Sequence, residues 1–400
     1  MNSPAEPTHE SLRMFTRFAA FYAAAFASLG VFMQFFPVWL HDARGLDAEA
    51  ASFVLTAQIW SRTIAGPFWA QRVDRSGDPR GMLRTLGVMS LLVVAAFAFA
   101  ESVPMLFLCS ALFGCCYSPQ YAILDGFALH CAQRHSFPYT RCRSWGSITF
   151  LFVIAGVGWL LQSELSGKGP SQSAPWILGI LLGAVAVTTL VGYGLPHTTL
   201  PRATDRRAPV SILLRQRQFL LFLLATGLIG GSHGAYYSLS TVHWRNHGIG
   251  ESVASLLWGE GVVAEILLFW FLRNLSSRIR PTTWMLIGGA GAAVRWFALG
   301  SSTDPVLLFA VNWLHGLSFG CTFVGSLQFI RTRIAPAYHA TAQGLLGAVS
   351  SGICTAICTR WAGKAYVQIG GDTFYLMCGV AVAGLLLVLV LRARRKVNMV

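Results

Sequence analysis

Eight ionisable side chains lie inside segments that are otherwise apolar enough to cross a membrane. These residues are Arg62, Asp125, Arg143, His233, Glu260, Glu265, Arg295 and His315. A charged group in the hydrocarbon core costs roughly 2.5–3.5 kcal/mol on insertion scales, so residues of this kind are expected to serve a function. We expect them to face one another along a water-accessible path, which is the arrangement that a membrane transporter requires.

The elements that position these residues are predicted to be membrane-spanning helices. The chain has 400 residues, of which 54% are hydrophobic and 12% are charged, and its mean hydropathy is +0.56. Apolar runs of about 20 residues, long enough to cross a bilayer, alternate with short polar segments. Because unpaired backbone groups are too costly in lipid, these runs should be helical. We predict an all-α membrane protein with twelve transmembrane helices, among them Pro104–Leu129, Phe219–Val242 and Pro305–Ile330. Counts of ten or fourteen stay open, because closely spaced spans can merge.

The net charge of +14 is distributed as a membrane topology signal, which argues against a nucleic-acid partner. With the N-terminus placed in the cytoplasm, most of the 30 Lys and Arg residues fall in cytoplasmic segments. Few, such as Arg44, Lys168 and Arg245, fall on the opposite side. This is the positive-inside pattern. We therefore predict a multi-pass protein of a bacterial-type cytoplasmic (inner) membrane, with both termini in the cytoplasm.

The longest cytoplasmic interruption, at 196–218, contains several prolines and five arginines, which is typical of a domain boundary. We predict an N-terminal six-helix half at 1–195, a cytoplasmic linker at 196–218 and a C-terminal six-helix half at 219–400. The pattern resembles the major facilitator superfamily, in which the substrate site lies between two six-helix halves. Three glycine pairs with four-residue spacing indicate close helix packing. They are Gly179/Gly183, Gly227/Gly231 and Gly316/Gly320.

The loop after the second apolar run reads Ala70-Gln-Arg-Val-Asp74-Arg75-Ser-Gly77-Asp78-Pro79-Arg80. It resembles the loop motif G-x-x-x-D-R-x-G-R-R of the same superfamily, with alanine in place of the first glycine. In that family the Asp and Arg residues form a cytoplasmic charge latch at a helix end. The resemblance implies a gating role for Asp74, Arg75 and Gly77, and a solvated turn is the alternative.

Asp125 and Arg143 lie on opposite sides of the predicted turn between the fourth and fifth spans. A carboxylate and a guanidinium at these positions can pair and so hide both charges from lipid. The pair can be purely structural. Alternatively, substrate inserts into it and uses the planar guanidinium for bidentate hydrogen bonds.

These residues also carry a family resemblance. The segment from Asp125 to Arg143-Ser-Trp145-Gly-Ser resembles the fourth-to-fifth helix hairpin of the lactose/proton symporter, where such a pair holds the sugar. Glu260 is similar to its eighth-helix Gly-Glu residue, and Arg295 and His315 fall at its ninth-helix arginine and tenth-helix histidine. A closer resemblance is to the 3-phenylpropionate transporter subgroup. It is carried by Arg143-x-Trp145-Gly146-Ser147, His233-Gly-Ala235-Tyr236-Tyr237, Val262-Val-Ala-Glu265, Val294-Arg295-Trp296 and Leu314-His315.

The resemblance implies a proton-coupled symporter for a small aromatic carboxylate such as 3-phenylpropionate. The substrate-binding residues implied in this way are Asp125, Arg143, Trp145, His233, Tyr236, Tyr237, Glu260 and Arg295. The lactose symporter releases its proton from a glutamate three residues after the histidine, but that position is Ser318 here. Its lysine three residues before the histidine is Asn312, and the seventh-helix aspartate that pairs with that lysine is absent too, so that pair is lost together. We therefore expect Glu265, with His315, to carry the proton, and Glu260 is the alternative.

Other functions stay open at this stage. The set Asp125, Arg143 and Glu260 also suits a sugar or nucleoside symporter, whereas a drug/proton antiporter would need a Gly- and Pro-rich fifth span. The histidines and aromatic residues can also be packing groups. Gly316-Leu-Ser318-Phe-Gly320 matches G-x-S-x-G, but it lies in an apolar helix instead of a strand-to-helix turn. No motif for a metal, cofactor or phosphate is present. We predict that the chain is not an enzyme, needs no cofactor and works as a monomer in the lipid bilayer.

Overall fold

The structure, a computed structural model, describes residues 9–165, 170–200, 210–272 and 279–393. Helices account for nearly all of this part of the chain, which contains no β-strand, so the predicted all-α class is confirmed. The first α-helices are α1 (His9–Asp42), α2 (Ala48–Ser76), α3 (Pro79–Ala96), α4 (Val103–Cys116), α5 (Pro119–His135), α6 (Tyr139–Leu165), α7 (Pro170–Tyr193) and α8 (Val210–Leu214). The others are α9 (Arg217–Gly231), α10 (Gly234–Asn246), α11 (Glu251–Leu272), α12 (Pro281–Ser301), α13 (Pro305–Asn312), α14 (Thr322–Arg333), α15 (His339–Gly347), α16 (Thr355–Ile369) and α17 (Thr373–Ala393). Short 3-10 turns lie at Phe97–Phe99, Pro336–Tyr338 and Gly370–Asp372, and π-helical segments at Gly316–Cys321 and Ala348–Cys354.

Two helix starts follow directly from Asp-Pro pairs in the sequence. Asp78 accepts a hydrogen bond from the backbone N–H of Gly81 at 2.8 Å, and Asp304 accepts one from Leu307 at 3.0 Å. Each carboxylate satisfies an N–H group of the first turn, and the proline that follows it needs no partner there. The beginnings of α3 and α13 are therefore encoded locally.

Nine stretches of the described residues are long and apolar enough to cross a membrane. One of them, His339–Ala393, contains α15, α16 and α17 in 55 residues, so several spans can merge in such a count. Helices α2 and α12, which carry Arg62 and Arg295, fall outside the nine. The chain is a multi-pass helical membrane protein, and the number of twelve spans stays a prediction.

Three spans predicted to be continuous are interrupted. Tyr117 and Ser118 separate α4 from α5, and Ser232 and His233 separate α9 from α10. A turn at Trp313 and the π-helical segment Gly316–Cys321 separate α13 from α14. Backbone hydrogen bonds continue in turn geometry at Ser232, His233 and Gly316, and π-helical segments are frequent at functional sites. Two of the three lie beside a predicted functional histidine.

Contacts divide the chain into two compact units. Unit 1 comprises Met1–Arg44 and Ser61–Thr204, and unit 2 comprises Gly45–Trp60 and Asp205–Val400. Helix α2 therefore begins in unit 2 and ends in unit 1. Inside unit 2, a Cβ atom on Gly363 of α16 would overlap Ser52 of α2. Glycine at 363 is thus required for the beginning of α2 to pack against α16.

Aromatic rings dominate the core of unit 1, whereas glycine contacts dominate parts of unit 2. In unit 1 the ring of Phe18 lies 5.0 Å from that of Phe127 and 5.9 Å from that of Phe137. In unit 2 a Cβ on Gly227 or on Gly231 would approach Cys354 to 2.8 Å. Such contacts let helix backbones approach closely, as in other membrane proteins.

The structure confirms close packing for two of the three predicted glycine pairs. Besides Gly227 and Gly231, a Cβ on Gly316 would approach the backbone of Ala264, and one on Gly320 would meet Leu268. At Gly179 and Gly183 of α7, no atom of the described residues lies within 4 Å of where a Cβ would stand. The prediction was wrong for this pair, because that side of α7 borders open space.

Candidate functional site

His233 occupies the break between α9 and α10 in unit 2 and is 1% exposed. Its Nδ1 lies 3.1 Å from the carbonyl oxygen of Ile229, and its Nε2 lies 3.1 Å from the hydroxyl of Ser318. A carbonyl only accepts, so Nδ1 donates to Ile229. The hydroxyl of Ser318 also donates to the carbonyl oxygen of His315 at 3.3 Å. Both ring nitrogens are occupied, and the ring ties the break in one span to the π-helical segment of another.

His315 lies immediately before that π-helical segment and connects two charged residues. Its Nδ1 is 2.8 Å from Nη1 of Arg295, and its Nε2 is 2.7 Å from Oε1 of Glu265. A guanidinium has no acceptor, so Nδ1 must accept from Arg295, and the proton of the neutral ring is therefore on Nε2. The result is a continuous hydrogen-bonded Arg295–His315–Glu265 chain, in which Arg295 donates to His315 and His315 donates to the carboxylate of Glu265.

Arg295 is fully buried in α12 at 0% exposure. Its Nη2 and Nε donate to Oδ1 of Asn312, at 2.8 and 3.3 Å. Its guanidinium lies over the rings of Tyr236 and Trp296, with the central carbon 4.1 and 4.8 Å from their centroids. Aromatic faces, an amide oxygen and a neutral histidine together solvate this cation in place of water. In this conformation Arg295 does not reach solvent, whereas Glu265 keeps 22% of its side chain exposed.

An aromatic cluster surrounds this chain. The ring of Tyr236 lies 4.9 Å from that of Trp258, and Tyr237 lies 6.0 Å from Trp258. The indole N–H of Trp258 donates to Thr241 at 3.1 Å, and that of Trp296 donates to Ser232 at 2.8 Å. Hydrogen-bonded indoles hold their rings in fixed orientations. Tyr236, Trp258 and Trp296 are buried, and Tyr237 is half-buried.

Glu260 does not join the Arg295–His315–Glu265 chain. It precedes Glu265 by five residues on α11, a rotation of about 140° around the helix. Its Oε2 atom is buried and has no hydrogen-bond partner within the part of the chain that the structure describes. The two glutamates therefore have different surroundings, and Glu265 is the one bonded to His315.

Asp125 and Arg143 form an ion pair in unit 1, as their spacing predicts. Nε of Arg143 lies 3.3 Å from Oδ1 of Asp125, and the two side chains are 46% and 36% exposed. The same oxygen accepts hydrogen bonds from the hydroxyls of Tyr22 at 2.5 Å and Tyr139 at 3.0 Å. Asp125 is thus held by three donors, and Arg143 remains open to solvent.

The structure does not bring Trp145 into this group. It follows Arg143 by two residues on α6, which turns it about 200° around the helix axis. Its side chain is 47% exposed, and its substrate-binding role stays a prediction. Sequence reasoning missed the two tyrosines. Tyr139 could have been found, because it precedes Arg143 by one helical turn, but Tyr22 lies on α1 with no sequence link to Asp125.

The loop between α2 and α3 carries the predicted gating residues. Asp74 and Arg75 lie in the last turn of α2, and Gly77 follows with a φ of +70°, a conformation that favours glycine. The carbonyl of Gly77 accepts a hydrogen bond from the backbone N–H of Leu200 at 2.9 Å. A gating role for these residues stays a prediction.

Two arginines beyond the predicted motif residues attach this region to α7. Arg80 and Arg84 both donate to the carbonyl oxygen of Tyr193, at 3.0 and 2.9 Å. The guanidinium of Arg84 also lies 4.6 Å from the centroid of the Tyr193 ring. Positive charge at the C-terminal end of a helix is favourable, and these bonds satisfy a terminal carbonyl. The beginning of α3 is therefore fixed to the end of α7.

Comparisons with known proteins identify the family and the fold of this chain. The model of the MFS_1 like family matches residues 15–377. A protein named "Probable 3-phenylpropionic acid transporter" from Escherichia coli (strain K12) is 29% identical over 370 residues, which cover 92% of this chain and 95% of the relative. The "Maltose permease" of Geobacillus stearothermophilus is 26% identical, with 95% of each chain covered.

Among solved structures, a crystal structure of a mutant of the nucleoside transporter NupG has the same fold. It superposes with a TM-score of 0.84 at 16% sequence identity and covers 94% of this chain and 99% of that one. These similar proteins are transporters, in agreement with the prediction that the chain is not an enzyme. The chain belongs to the MFS_1 like family of major facilitator superfamily transporters.

Proposed function

We propose that this chain is a proton-coupled symporter that imports a small aromatic carboxylate such as 3-phenylpropionate. The observation that carries the proposal is the Arg295–His315–Glu265 chain. It joins a partly exposed carboxylate to a fully buried cation through a neutral histidine. The similarity to a probable 3-phenylpropionic acid transporter supports the choice of substrate.

Glu265 is proposed to be the proton carrier. As a carboxylate it accepts a charge-assisted hydrogen bond from Nε2 of His315 and balances the charge of Arg295. Protonation removes that negative charge, and a neutral acid accepts a much weaker bond from the histidine. Proton loading would therefore loosen α11 from the segment around His315. This gives proton binding a means of changing the relative stability of two conformations.

Arg143 is proposed to bind the carboxylate of the substrate. Three of the substrate-binding residues that the resemblance implies can meet a carboxylate: Arg143, Arg295 and His233. Arg295 and His233 are buried with their polar atoms engaged, whereas Arg143 is 46% exposed and uses only Nε on Asp125. A guanidinium can offer two parallel N–H groups to a carboxylate. In unit 2, Tyr237 is the half-buried ring of the aromatic cluster, and its substrate-binding role stays a prediction.

The organisation proposed for this transporter is that of its superfamily. It has twelve transmembrane helices in two six-helix halves, at 1–195 and 219–400, joined by a cytoplasmic linker at 196–218. The distribution of Lys and Arg supports a bacterial inner membrane location with both termini in the cytoplasm. The chain acts as a monomer, alternating between two states that expose the substrate site to opposite sides.

A proton-coupled sugar or nucleoside symporter is the second candidate. Asp125, with the hydroxyls of Tyr22 and Tyr139 around it, is a suitable acceptor and donor set for a hydroxyl-rich ligand. The similarity to a maltose permease favours this class as well. In this case Asp125 and Glu260 would bind substrate hydroxyls, and Glu265 would keep its proton role.

The test is uptake by purified protein in proteoliposomes, with an inward proton gradient imposed or omitted. Labelled 3-phenylpropionate, maltose and uridine are compared. Accumulation of 3-phenylpropionate that an uncoupler abolishes would support the favoured proposal, and gradient-driven uptake of maltose or uridine alone would support the second candidate. Neither proposal survives if none of the three compounds accumulates.

The proton role is tested with Glu265→Gln. We expect this variant to exchange internal for external substrate without a gradient and to lose gradient-driven accumulation. Glu101→Gln, in the exposed loop before α4, is the matched control and should accumulate like the wild type. Glu260→Gln examines the other glutamate of α11. Wild-type accumulation by Glu265→Gln would show that Glu265 does not carry the proton.

A further inference from the structure

A groove with a volume of about 710 Å³ opens on unit 1 where α1 and α3 end and α7 begins. Its floor is apolar and includes Val94, Ala95, Ala98, Leu178, Gly179 and Leu182. Its rim carries Trp39, Asp42 and Arg44. The volume lies within the range of sites that bind small organic molecules. None of the transport residues described above lines it.

Arg44 is fixed at the rim by three contacts. Its Nη2 donates to the carbonyl oxygens of Phe97 at 2.8 Å and Ala98 at 2.9 Å, and its guanidinium lies 4.7 Å from the centroid of Trp39. Its Nε is buried beneath these contacts, whereas its Nη1 bonds no acceptor among the described residues. An unpaired donor on a cation is costly, so this edge of the guanidinium is suited to an anionic ligand.

The other charged group at the rim is already engaged. The carboxylate of Asp42 lies 2.9 Å from Nδ1 of His41, and its side chain is 7% exposed. Asp42 lines the groove, but its carboxylate is bonded to His41 and largely buried. Arg44 supplies the charge that a ligand at the rim would meet.

The position of the groove along the helices indicates which part of the lipid bilayer is next to it. Trp176 lies beside it at the beginning of α7 and is 58% exposed, and Phe99 lies at its edge and is 77% exposed. Exposed aromatic residues at the ends of spans mark the headgroup level of a bilayer. The floor continues from that level along the apolar sides of α3 and α7, which in a membrane protein are covered by acyl chains.

We propose that this groove is a binding site for one glycerophospholipid. The lipid phosphate accepts a hydrogen bond from Nη1 of Arg44, and one acyl chain lies along the floor over Gly179. The floor is open beside Gly179, where a Cβ would meet no atom of the described residues within 4 Å. The bound lipid would thus join the loop after α1 to the ends of α3 and α7.

The same glycine supplies a matched pair of variants. Gly179→Leu should fill the groove without straining the fold, since the space beside it is open. Gly183→Leu adds the same side chain one turn further along α7, also into open space but outside the groove lining. Arg44→Gln removes the charge that holds the phosphate.

The experiment is native mass spectrometry of the delipidated full chain in detergent, titrated with dioleoyl phosphatidylglycerol or with dioleoylglycerol, which lacks the phosphate. We expect the wild type and Gly183→Leu to bind one phosphatidylglycerol. Gly179→Leu and Arg44→Gln should bind it at least about tenfold more weakly, because a hydrogen bond to a charged group or the acyl contact is lost. Dioleoylglycerol should bind the wild type at least about tenfold more weakly than phosphatidylglycerol.

Two results would overturn the proposal. Equal binding of the two lipids by the wild type would mean that no phosphate is recognised. Equal affinity of Gly179→Leu and Gly183→Leu for phosphatidylglycerol would mean that the groove is not where the lipid lies. Both results are independent of Arg44→Gln, so a folding defect in that variant leaves the test intact.

Discussion

Asn312 offers the sharpest test of how the buried charge of Arg295 is held. Its Oδ1 accepts from Nη2 and Nε of Arg295, while its Nδ2 is buried and has no partner in the described part of the chain. Asn312→Leu keeps the shape and removes the acceptor, which leaves two donors of a buried cation unpaired. Hydrogen bonds to charged groups contribute about 1.5–3 kcal/mol each, so we expect a loss of about 3 kcal/mol in the free energy of unfolding. That is a large part of the 5–15 kcal/mol typical of a folded protein.

Asn312→Asp is the matched variant, because it keeps the oxygen and replaces only the unpartnered amide nitrogen. Two ion-pair hydrogen bonds then replace two ion–amide bonds, and the gain is offset by the cost of burying a carboxylate. We expect stability within about 1 kcal/mol of the wild type. We still expect impaired gradient-driven transport, because a carboxylate at position 312 would neutralise the charge of Arg295 directly. The attraction between Arg295 and Glu265 through His315 would then be weaker.

The assay combines thermal unfolding of the purified variants with uptake in proteoliposomes. We expect Asn312→Leu to unfold at a clearly lower temperature. Asn312→Asp should unfold near the wild-type temperature and lose gradient-driven accumulation while it keeps substrate exchange. The reasoning is refuted if the two variants are destabilised equally, since the acceptor would then have no special role. It is also refuted if Asn312→Asp accumulates substrate like the wild type.

Two further predictions follow from close contacts in the structure. Gly363→Val should lower the unfolding temperature by several degrees, because overpacking costs about 1–3 kcal/mol. Adding Ser52→Gly should restore only part of the loss, because a Cβ at 363 would also lie 2.5 Å from the backbone oxygen of Ala48. A double variant that is no more stable than Gly363→Val would mean that the overlap at Ser52 does not contribute. Tyr22→Phe and Tyr139→Phe each remove one donor to Asp125 and should raise the KM for uptake about three- to tenfold by loosening the pair with Arg143. An unchanged KM in both would place Asp125 outside the substrate site.

The sequence was sufficient to predict the helical membrane class and the pairing of Asp125 with Arg143. The helical class follows from composition and from the cost of unpaired backbone in lipid. The pair follows from two residues on either side of a short turn, where few other partners are possible. Family resemblance added the grouping of His233, Tyr236, Glu265, Arg295 and His315, which spacing alone could not have supplied.

The breaks in the spans could not be predicted in the same way. Pro119 marks the break between α4 and α5, but no proline marks the interruption at His233 or the π-helical segment after His315. The glycines at these two positions permit a break without determining where it falls. Tertiary contacts determine these breaks. A Cβ on Gly234 would approach the backbone of α16, and one on Gly316 would approach that of α11, so the chain is held there by neighbours distant in sequence. Local propensity does not contain that information.

The structure shows what Ser318 and Asn312 bond in place of two charged residues of the lactose/proton symporter. Position 318 has a serine where the symporter has its proton-releasing glutamate, and the serine bonds His233. Position 312 has an asparagine where the symporter has a lysine, and the asparagine accepts from Arg295. Both replacements are neutral, so neither position adds a charge beside Arg295. Arg295 and Glu265 then remain as opposite charges on either side of His315.

This balance is the physical argument for Glu265 as the proton carrier. A fully buried cation needs a compensating negative charge, and a connection through a single neutral ring keeps the two charges close. Protonation of Glu265 therefore changes the charge that balances Arg295. Glu260 makes no hydrogen bond to Arg295, His315 or Glu265. Glu265→Gln combined with Asn312→Asp would restore a negative charge next to Arg295 without a proton site at 265. We expect the pair to be more stable than Glu265→Gln alone and still unable to accumulate substrate against a gradient. Recovery of accumulation would show that charge balance alone, without a proton on Glu265, is enough for coupling.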